Sequence, residues 1–348
     1  MPARFDVRTE SEGAVLLDSL SRPLRDLRLS VTDRCNLRCT YCMPREIFGP
    51  DHQFLPKELI LSYEEMTVLV KAISGLGLHK LRLTGGEPLL RKDLHRLIQM
   101  LRTELGEEID IAMTTNGILL AKHADELAKA GLNRVTVSLD SLDDEIFRMM
   151  SDTKAEVADV LNGIEAAKNA GLGIKVNCVI RKGSNESQIL PLVDHFRNTG
   201  VCLRFIEYMD VGNSNEWRLD EVVPASEMID MINREFPIQP VAASHVGQVA
   251  KTWEYLDGAG SLGFITSVSQ PFCGDCCRAR LSVDGHLYTC LFASKGTDLM
   301  SPLRQGLSEK ELAELTSEIW RKRDDRYSEL RGKLGKELEK VEMSYIGG

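Results

Sequence analysis

The sequence predicts an α/β protein: an incomplete (β/α)6, TIM-like barrel over residues 1–236, closed by a C-terminal domain over 237–348. Three observations predict it. Short alternating segments recur with helical stretches between them, which argues for a parallel sheet with helices outside. Those segments confine polar residues to one face. After Met209 the rhythm is lost, and from about residue 237 the chain turns short-stranded and turn-rich.

The strand segments are Leu27 to Val31, Lys80 to Thr84, Ile109 to Thr114, Arg134 to Leu139, Ile174 to Ile180 and Leu203 to Glu207. Ser62 with Glu65 three residues later is a capping-box pattern and opens one helix. Gly131 and Gly171 stand where helices of this length end in a C-terminal cap. A doubly wound sheet buries both faces, so its strands read as almost unbroken apolar runs. Here one face carries Arg28 and Ser30, Arg82 and Thr84, Thr136 and Ser138, Lys175 and Asn177. The other carries Leu, Val and Ile. A curved sheet with a polar, cationic interior fits this pattern, and such an interior suits a sizeable hydrophilic anion. Solvated edge positions are the plainer reading of the same residues. Residues 210–223 read as a loop, Pro224 to Glu227 opens a further helix, and 307–341 is charged and amphipathic.

A chain of 348 residues, 43% hydrophobic and 27% charged, can bury a proper core. No stretch approaches the roughly 20 apolar residues of a membrane span, and residues 1–13 lack a signal-peptide core. The expected setting is therefore cytoplasmic, with no membrane partner. In that setting the nine cysteines stay reduced and act as ligand candidates. A net charge of −9 gives no support to nucleic-acid binding.

Cys35, Cys39 and Cys42 lie within eight residues on the loop after the first strand. Spacing this tight can hold three corners of an iron–sulfur cube, which normally takes four cysteines. The next cysteine is Cys178, so one iron would be left for a non-protein ligand. A structural zinc site is the alternative, but it wants four N or S ligands and usually pairs C-x2-C units. Cys273, Cys276 and Cys290 form a second set of three, which alone reads equally as zinc or iron–sulfur. Two incomplete sets in one chain favour clusters. Cys277 is expected to be a bystander to Cys276, and Cys178 and Cys202 to be buried structural thiols.

Gly85 and Gly86, followed by Glu87 and Pro88, end the second strand, where barrel enzymes place their sites. Arg278 and Arg280 point the same way in an extended segment, a fork for phosphate or carboxylate, although a solvated basic pair is the ordinary reading. The histidines show no ligand spacing, and no P-loop, nucleophile elbow or zinc-protease motif is present.

Together these residues resemble the GTP 3′,8-cyclase family of molybdenum cofactor biosynthesis, within the radical S-adenosylmethionine superfamily, from Leu27 to Gly348. The resemblance implies two 4Fe–4S clusters, on Cys35, Cys39 and Cys42 and on Cys273, Cys276 and Cys290, with the C-terminal domain holding the second. It implies S-adenosylmethionine held near Tyr41, Gly86, Ser138 and Met209. It implies GTP held by Arg28, Arg82, Thr114, Lys175 and the Arg278, Ala279, Arg280 segment, with the guanine at the second cluster. Arg278, Arg280 and the terminal Gly347 and Gly348 would serve catalysis. The chemistry implied is reductive cleavage of S-adenosylmethionine, hydrogen abstraction from ribose C3′ and closure of C3′ onto C8 of guanine. Implied partners are a cyclic pyranopterin monophosphate synthase downstream, a reductant protein and a second copy in a homodimer. Cys277 departs from the family pattern.

Overall fold

A computed structural model of the chain describes residues 15–243, 247–331 and 339–347. Six strands, β1 (Asp26–Ser30), β2 (Lys80–Thr84), β3 (Asp110–Thr115), β4 (Arg134–Ser138), β5 (Gly173–Ile180) and β6 (Cys202–Glu207), pair side by side in chain order, all parallel. The later strands are β7 (Ile238–Pro240), β8 (Lys251–Tyr255), β9 (Ser261–Ile265), β10 (Arg278–Leu281), β11 (His286–Tyr288) and β12 (Thr297–Asp298). β10 adds parallel to β1, and β9 adds parallel to β6. The C-terminal segment thus lengthens the sheet at both edges. The row runs β12-β11-β10-β1-β2-β3-β4-β5-β6-β9-β8-β7 and stays open among the described residues.

The helices are α1 (Tyr63–Ser74), α2 (Leu94–Leu105), α3 (Leu120–Lys129), α4 (Asp144–Ser151), α5 (Val157–Asn169), α6 (Ile189–Phe196), α7 (Ala225–Glu235), α8 (Met300–Arg304), α9 (Glu309–Arg321), α10 (Tyr327–Leu330) and α11 (Met343–Ile346). The capping box at Ser62 is formed: its Oγ accepts from Glu65 N at 3.1 Å while Ser62 N donates to Glu65 Oε2 at 2.8 Å. Gly131 and Gly171 end α3 and α5 at φ +98 and +81, a left-handed turn that a Cβ would strain.

The alternation resolves as expected. Leu27, Leu29, Leu81, Leu83, Val135, Val137 and Leu203 are 0% exposed and pack against the helices. Each such side chain contributes about 1.5–3 kcal/mol when fully buried. Their neighbours Arg28, Arg82, Ser138, Lys175 and Asn177 line an internal cavity instead. One helix is additional to the regular units: α4, between β4 and α5, backs the cysteine loop, accepting from Arg38 N and Thr40 N through Ser151 O and Met150 O at 3.0 and 2.9 Å. No described helix is long and apolar enough to cross a membrane.

Candidate active site

The inner face of the sheet encloses a cavity of about 790 Å3 that reaches from the cysteine loop after β1 to the segment before β10. Cys35, Cys39 and Cys42 line it at the C-terminal ends of the strands; Cys273, Cys276 and Cys290 also line it. All nine cysteines are free thiols.

The first loop is held by its own backbone. Cys39 O accepts from Cys42 N and Met43 N at 3.0 and 2.9 Å, so two of the three thiols share one tight turn. Arg38 laces it from outside, donating to Cys35 O, Leu37 O and Phe48 O at 2.8, 2.8 and 2.6 Å. Burial pushes the Cys35 thiol up to about 11 and raises Cys39 and Cys42 as well. A cation among them would offset that cost, since thiolates, not thiols, are metal ligands. Among the described residues no three Cys, His, Asp or Glu side chains converge tightly enough for a single metal ion, whereas cluster thiolates each take a separate iron. The residues fit a cluster.

Gly85 and Gly86 are required by a close backbone approach. A Cβ on Gly85 would stand 2.3 Å from Thr32 O, and one on Gly86 2.2 Å from Arg34 O. Gly86 N and Glu87 N donate to those same carbonyls at 2.8 and 2.7 Å. The glycine pair therefore fastens the end of β2 to the chain entering the cysteine loop, while Gly86 still lines the cavity. Beside it, buried Glu87 accepts from Thr115 Oγ1, Asn116 N and Leu89 N at 2.8, 2.7 and 3.1 Å. Burial nonetheless drives its carboxyl up to about 7. Tyr41 OH donates to Asp140 Oδ2 at 2.5 Å, and Asp140 Oδ1 accepts from Val179 N at 2.8 Å.

The middle of the cavity is cationic. Arg28, Arg82, Lys175, Arg204, Arg278 and Arg280 all line it. Arg82 Nη1 reaches Thr114 Oγ1 and Thr136 Oγ1 at 3.0 and 3.1 Å. Arg28 Nε, Arg82 Nε, Arg204 Nε and Arg280 Nη2 are buried without a partner among the described residues. Burial, then Arg280, Arg278 and Arg82, lowers Arg28 well below the usual guanidinium range. Burial and then Arg204 hold Lys175 down at about 8. Unpaired buried charge of one sign is expensive, so the cavity is poised for a polyanion.

At the second triad, burial opposes ionisation of Cys276, but the guanidiniums of Arg278 and Arg323 overcome it and hold the thiol at about 6. Arg278 Nε and Nη2 stand 3.4 and 3.3 Å from Cys276 Sγ. The loop's carbonyls are anchored too: Arg22 Nη1 donates to Cys273 O and Arg323 Nη1 to Cys276 O, both at 2.7 Å.

The tail enters the same space. Lys340 Nζ meets Asp210 Oδ2 at 2.9 Å, and Glu342 accepts from Asn213 N and Ser214 Oγ at 2.9 Å each. Beyond α11, Gly347 O accepts from Arg280 Nε at 3.2 Å. A Cβ on Gly347, whose φ is +79, would lie 2.1 Å from Thr84 Cγ2. Gly348 lies outside the described residues.

Of the residues singled out in the sequence, the structure brings Tyr41, Gly86, Ser138, Met209, Arg28, Arg82, Thr114, Lys175, Arg278 and Arg280 to this cavity. Ala279 departs from the expectation. Strand alternation turns its side chain away from Arg278 and Arg280 into the core, at 0% exposure. Cys178 is buried as expected, but Cys202 is only half-buried and lines the cavity, because β6 presents Cys202, Arg204 and Ile206 inward. Arg204 joins them as an addition to the residues singled out in the sequence, although the same alternation in Cys202–Glu207 carries it. Asp140 and Arg323 carry no sequence signal, since tertiary packing brings them to Tyr41 and Cys276.

Residues 29–196 match the family model Radical SAM superfamily, and residues 201–329 match Molybdenum Cofactor Synthesis C. Proteins named GTP 3′,8-cyclase from Staphylococcus haemolyticus and Xanthomonas campestris are 48% and 51% identical, over 96% of this chain in both cases and 99% and 98% of theirs. The chain belongs to the GTP 3′,8-cyclase family. One from Acidothermus cellulolyticus is 50% identical over 95% of the chain and 98% of its own. Among solved structures, Streptococcus suis SuiB bound to S-adenosylmethionine shares the fold at TM-score 0.60 and 16% identity, over 94% of this chain and 73% of its own.

Proposed function

We propose that this chain is a radical S-adenosylmethionine GTP 3′,8-cyclase, converting GTP to (8S)-3′,8-cyclo-7,8-dihydroguanosine 5′-triphosphate as the first step of molybdenum cofactor biosynthesis. The observation that carries it is one cavity lined by two cysteine triads and a surplus of buried cations. Cys35, Cys39 and Cys42 would hold one 4Fe–4S cluster, and Cys273, Cys276 and Cys290 a second. When bound, the first cluster supplies the electron that splits S-adenosylmethionine, one-electron chemistry that no side chain offers.

The chain's own residues hold and orient. Tyr41, Gly86, Ser138 and Met209 surround the cosubstrate beside the first triad. Arg28, Arg82, Lys175, Arg278 and Arg280 take the triphosphate, and Thr114 completes the cradle through Arg82. Each charge-assisted hydrogen bond contributes about 1.5–3 kcal/mol. Cys276 and Cys277 both line the cavity, but the guanidinium of Arg278 stands against Cys276 Sγ and the thiol of Cys276 is held low, which favours Cys276 as the ligand. Arg280, bonded to Gly347 O, links the triphosphate site to the tail. Enclosure excludes water and keeps the reacting groups at attack distance. The enzyme works in the cytoplasm with a reductant protein, as a homodimer, and hands its product to a cyclic pyranopterin monophosphate synthase.

Iron, sulfide and zinc content of anaerobically reconstituted protein tests this reading. About eight irons and eight sulfides per chain are expected for two 4Fe–4S clusters. Stoichiometric zinc in a colourless protein would overturn it.

A further inference from the structure

Three charged side chains that take no part in the triphosphate cradle converge behind the second triad. Asp18 stands in the turn ahead of β1 that the Leu17–Pro23 bridge closes, and its Oδ1 accepts from Leu20 N and Arg22 N at 2.9 and 2.8 Å. Its Oδ2 accepts from Arg22 Nε at 2.6 Å and from Arg323 Nη1 at 3.1 Å. The carboxylate is wholly enclosed, and the arginine side chains are 2% and 1% exposed. Trp320, in α9, packs the pair: its Nε1 donates to Arg22 O at 3.0 Å, and its ring lies 4.5 Å from the Arg323 guanidinium. At the rim, Asp325 O accepts from Arg22 Nη1 at 2.8 Å, and the Asp325 carboxylate is 3.6 Å from Arg323 Nε.

Beyond that pairing, each arginine reaches the cysteine segments through main-chain carbonyls. Arg22 Nη1 donates to Cys273 O and Arg323 Nη1 to Cys276 O, both at 2.7 Å. Arg323 Nε donates at 3.0 Å to the carbonyl of Thr289, the residue ahead of Cys290. All three cysteines of the triad, drawn from two separate segments, are thus tied to one carboxylate. Groups standing behind metal ligands orient them and tune the metal. The potential of an iron–sulfur cluster follows the charge and hydrogen bonding around it. We propose that Asp18, Arg22 and Arg323 are positioning residues of the second cluster, the guanidiniums fixing its three ligands and the charges of the trio setting its reduction potential. The inference rests on the function proposed above. Its sign is definite: a carboxylate one hydrogen bond behind the loop opposes an added electron, and a guanidinium favours it.

Full-length, reconstituted enzyme is compared with D18N, R323Q and R323K. The readouts are iron content, iron release to a chelator, and a redox titration of the reduced-cluster spin-resonance signal that S-adenosylmethionine does not shift. D18N removes a negative charge and should raise that potential; R323Q removes a positive one and should lower it. R323K keeps the charge but cannot span Cys276 O and Thr289 O with one planar fork. Its potential should move less than that of R323Q, while about four of its irons leave about 10- to 100-fold faster than in wild type. Potentials that do not shift, or shift the same way in D18N and R323Q, overturn the proposal, as does R323K releasing iron at the wild-type rate. A variant with about four irons that still cleaves S-adenosylmethionine has lost the second cluster alone, which supports the brace. Where D18N or R323Q loses both clusters, the R323K release rate decides; loss of both in R323K would make the trio a folding element and overturn the proposal. A wild type that takes up no more than about four irons would overturn the two-cluster reading itself, before any variant is compared.

Discussion

Replacing Lys175 by Met should make the free protein more stable and the enzyme worse. Lys175 stands on β5 near Arg204, Arg134 and Arg82, and burial followed by Arg204 lowers its pKa from 10.5 to about 8. That fall corresponds to about 3 kcal/mol of cost for keeping the ammonium in the empty cavity at pH 7. The folded pKa lies below the unfolded one. Between about pH 8 and 10.5 the unfolded chain therefore holds a proton that the folded chain has shed, and stability rises with pH. Below about pH 8 the full cost applies. Urea unfolding of wild type and K175M, anaerobic and without ligand, should show the variant more stable by about 2–3 kcal/mol at pH 7. The advantage should shrink by about 2 kcal/mol between pH 8 and 9.5. GTP binding should weaken at the same time by about 10- to 100-fold, as one charge-assisted contact is lost. A K175M protein that is less stable at pH 7, or that binds GTP as well as wild type, would refute the reading of this cavity as a polyanion site held under charge strain.

Two further substitutions probe the two ends of the site. G347A places a methyl group 2.1 Å from Thr84 Cγ2 at a left-handed backbone position, so the tail should be displaced from Arg280. Product formation should fall by about 10-fold or more while S-adenosylmethionine cleavage persists, measured as deoxyadenosine against product; unchanged coupling would return the tail to a passive role. C276S should halve the iron content to about four per chain, whereas C277S should keep about eight. The opposite result would exchange the two cysteines.

The legible part of this molecule is the part written in local periodicity. The strands β1 to β6 and their inner faces follow from alternation alone. A side chain on a parallel strand points inward or outward by position, and Leu27 beside Arg28 admits one assignment. Arg28, Arg82, Ser138, Lys175 and Asn177 take the inner face by that rule, and Arg204 follows from it too. The cysteine triads were legible because a cluster loop needs its ligands close in sequence.

Other features depend on what meets what. The sequence does not say that β9 and β10 add to opposite edges of one sheet, since strand pairing over long separations leaves no local mark. It does not say that Asp140 reaches Tyr41 across 99 positions, or that Arg323 reaches Cys276 from α9's far end. Ala279 shows the same limit from within a motif, because a segment named for its arginines turns alternate residues into the core. Composition and spacing determined which chemistry the chain carries. Only the tertiary structure decided which charges are left unpaired, because desolvation and the distance between charges exist only once the chain is folded.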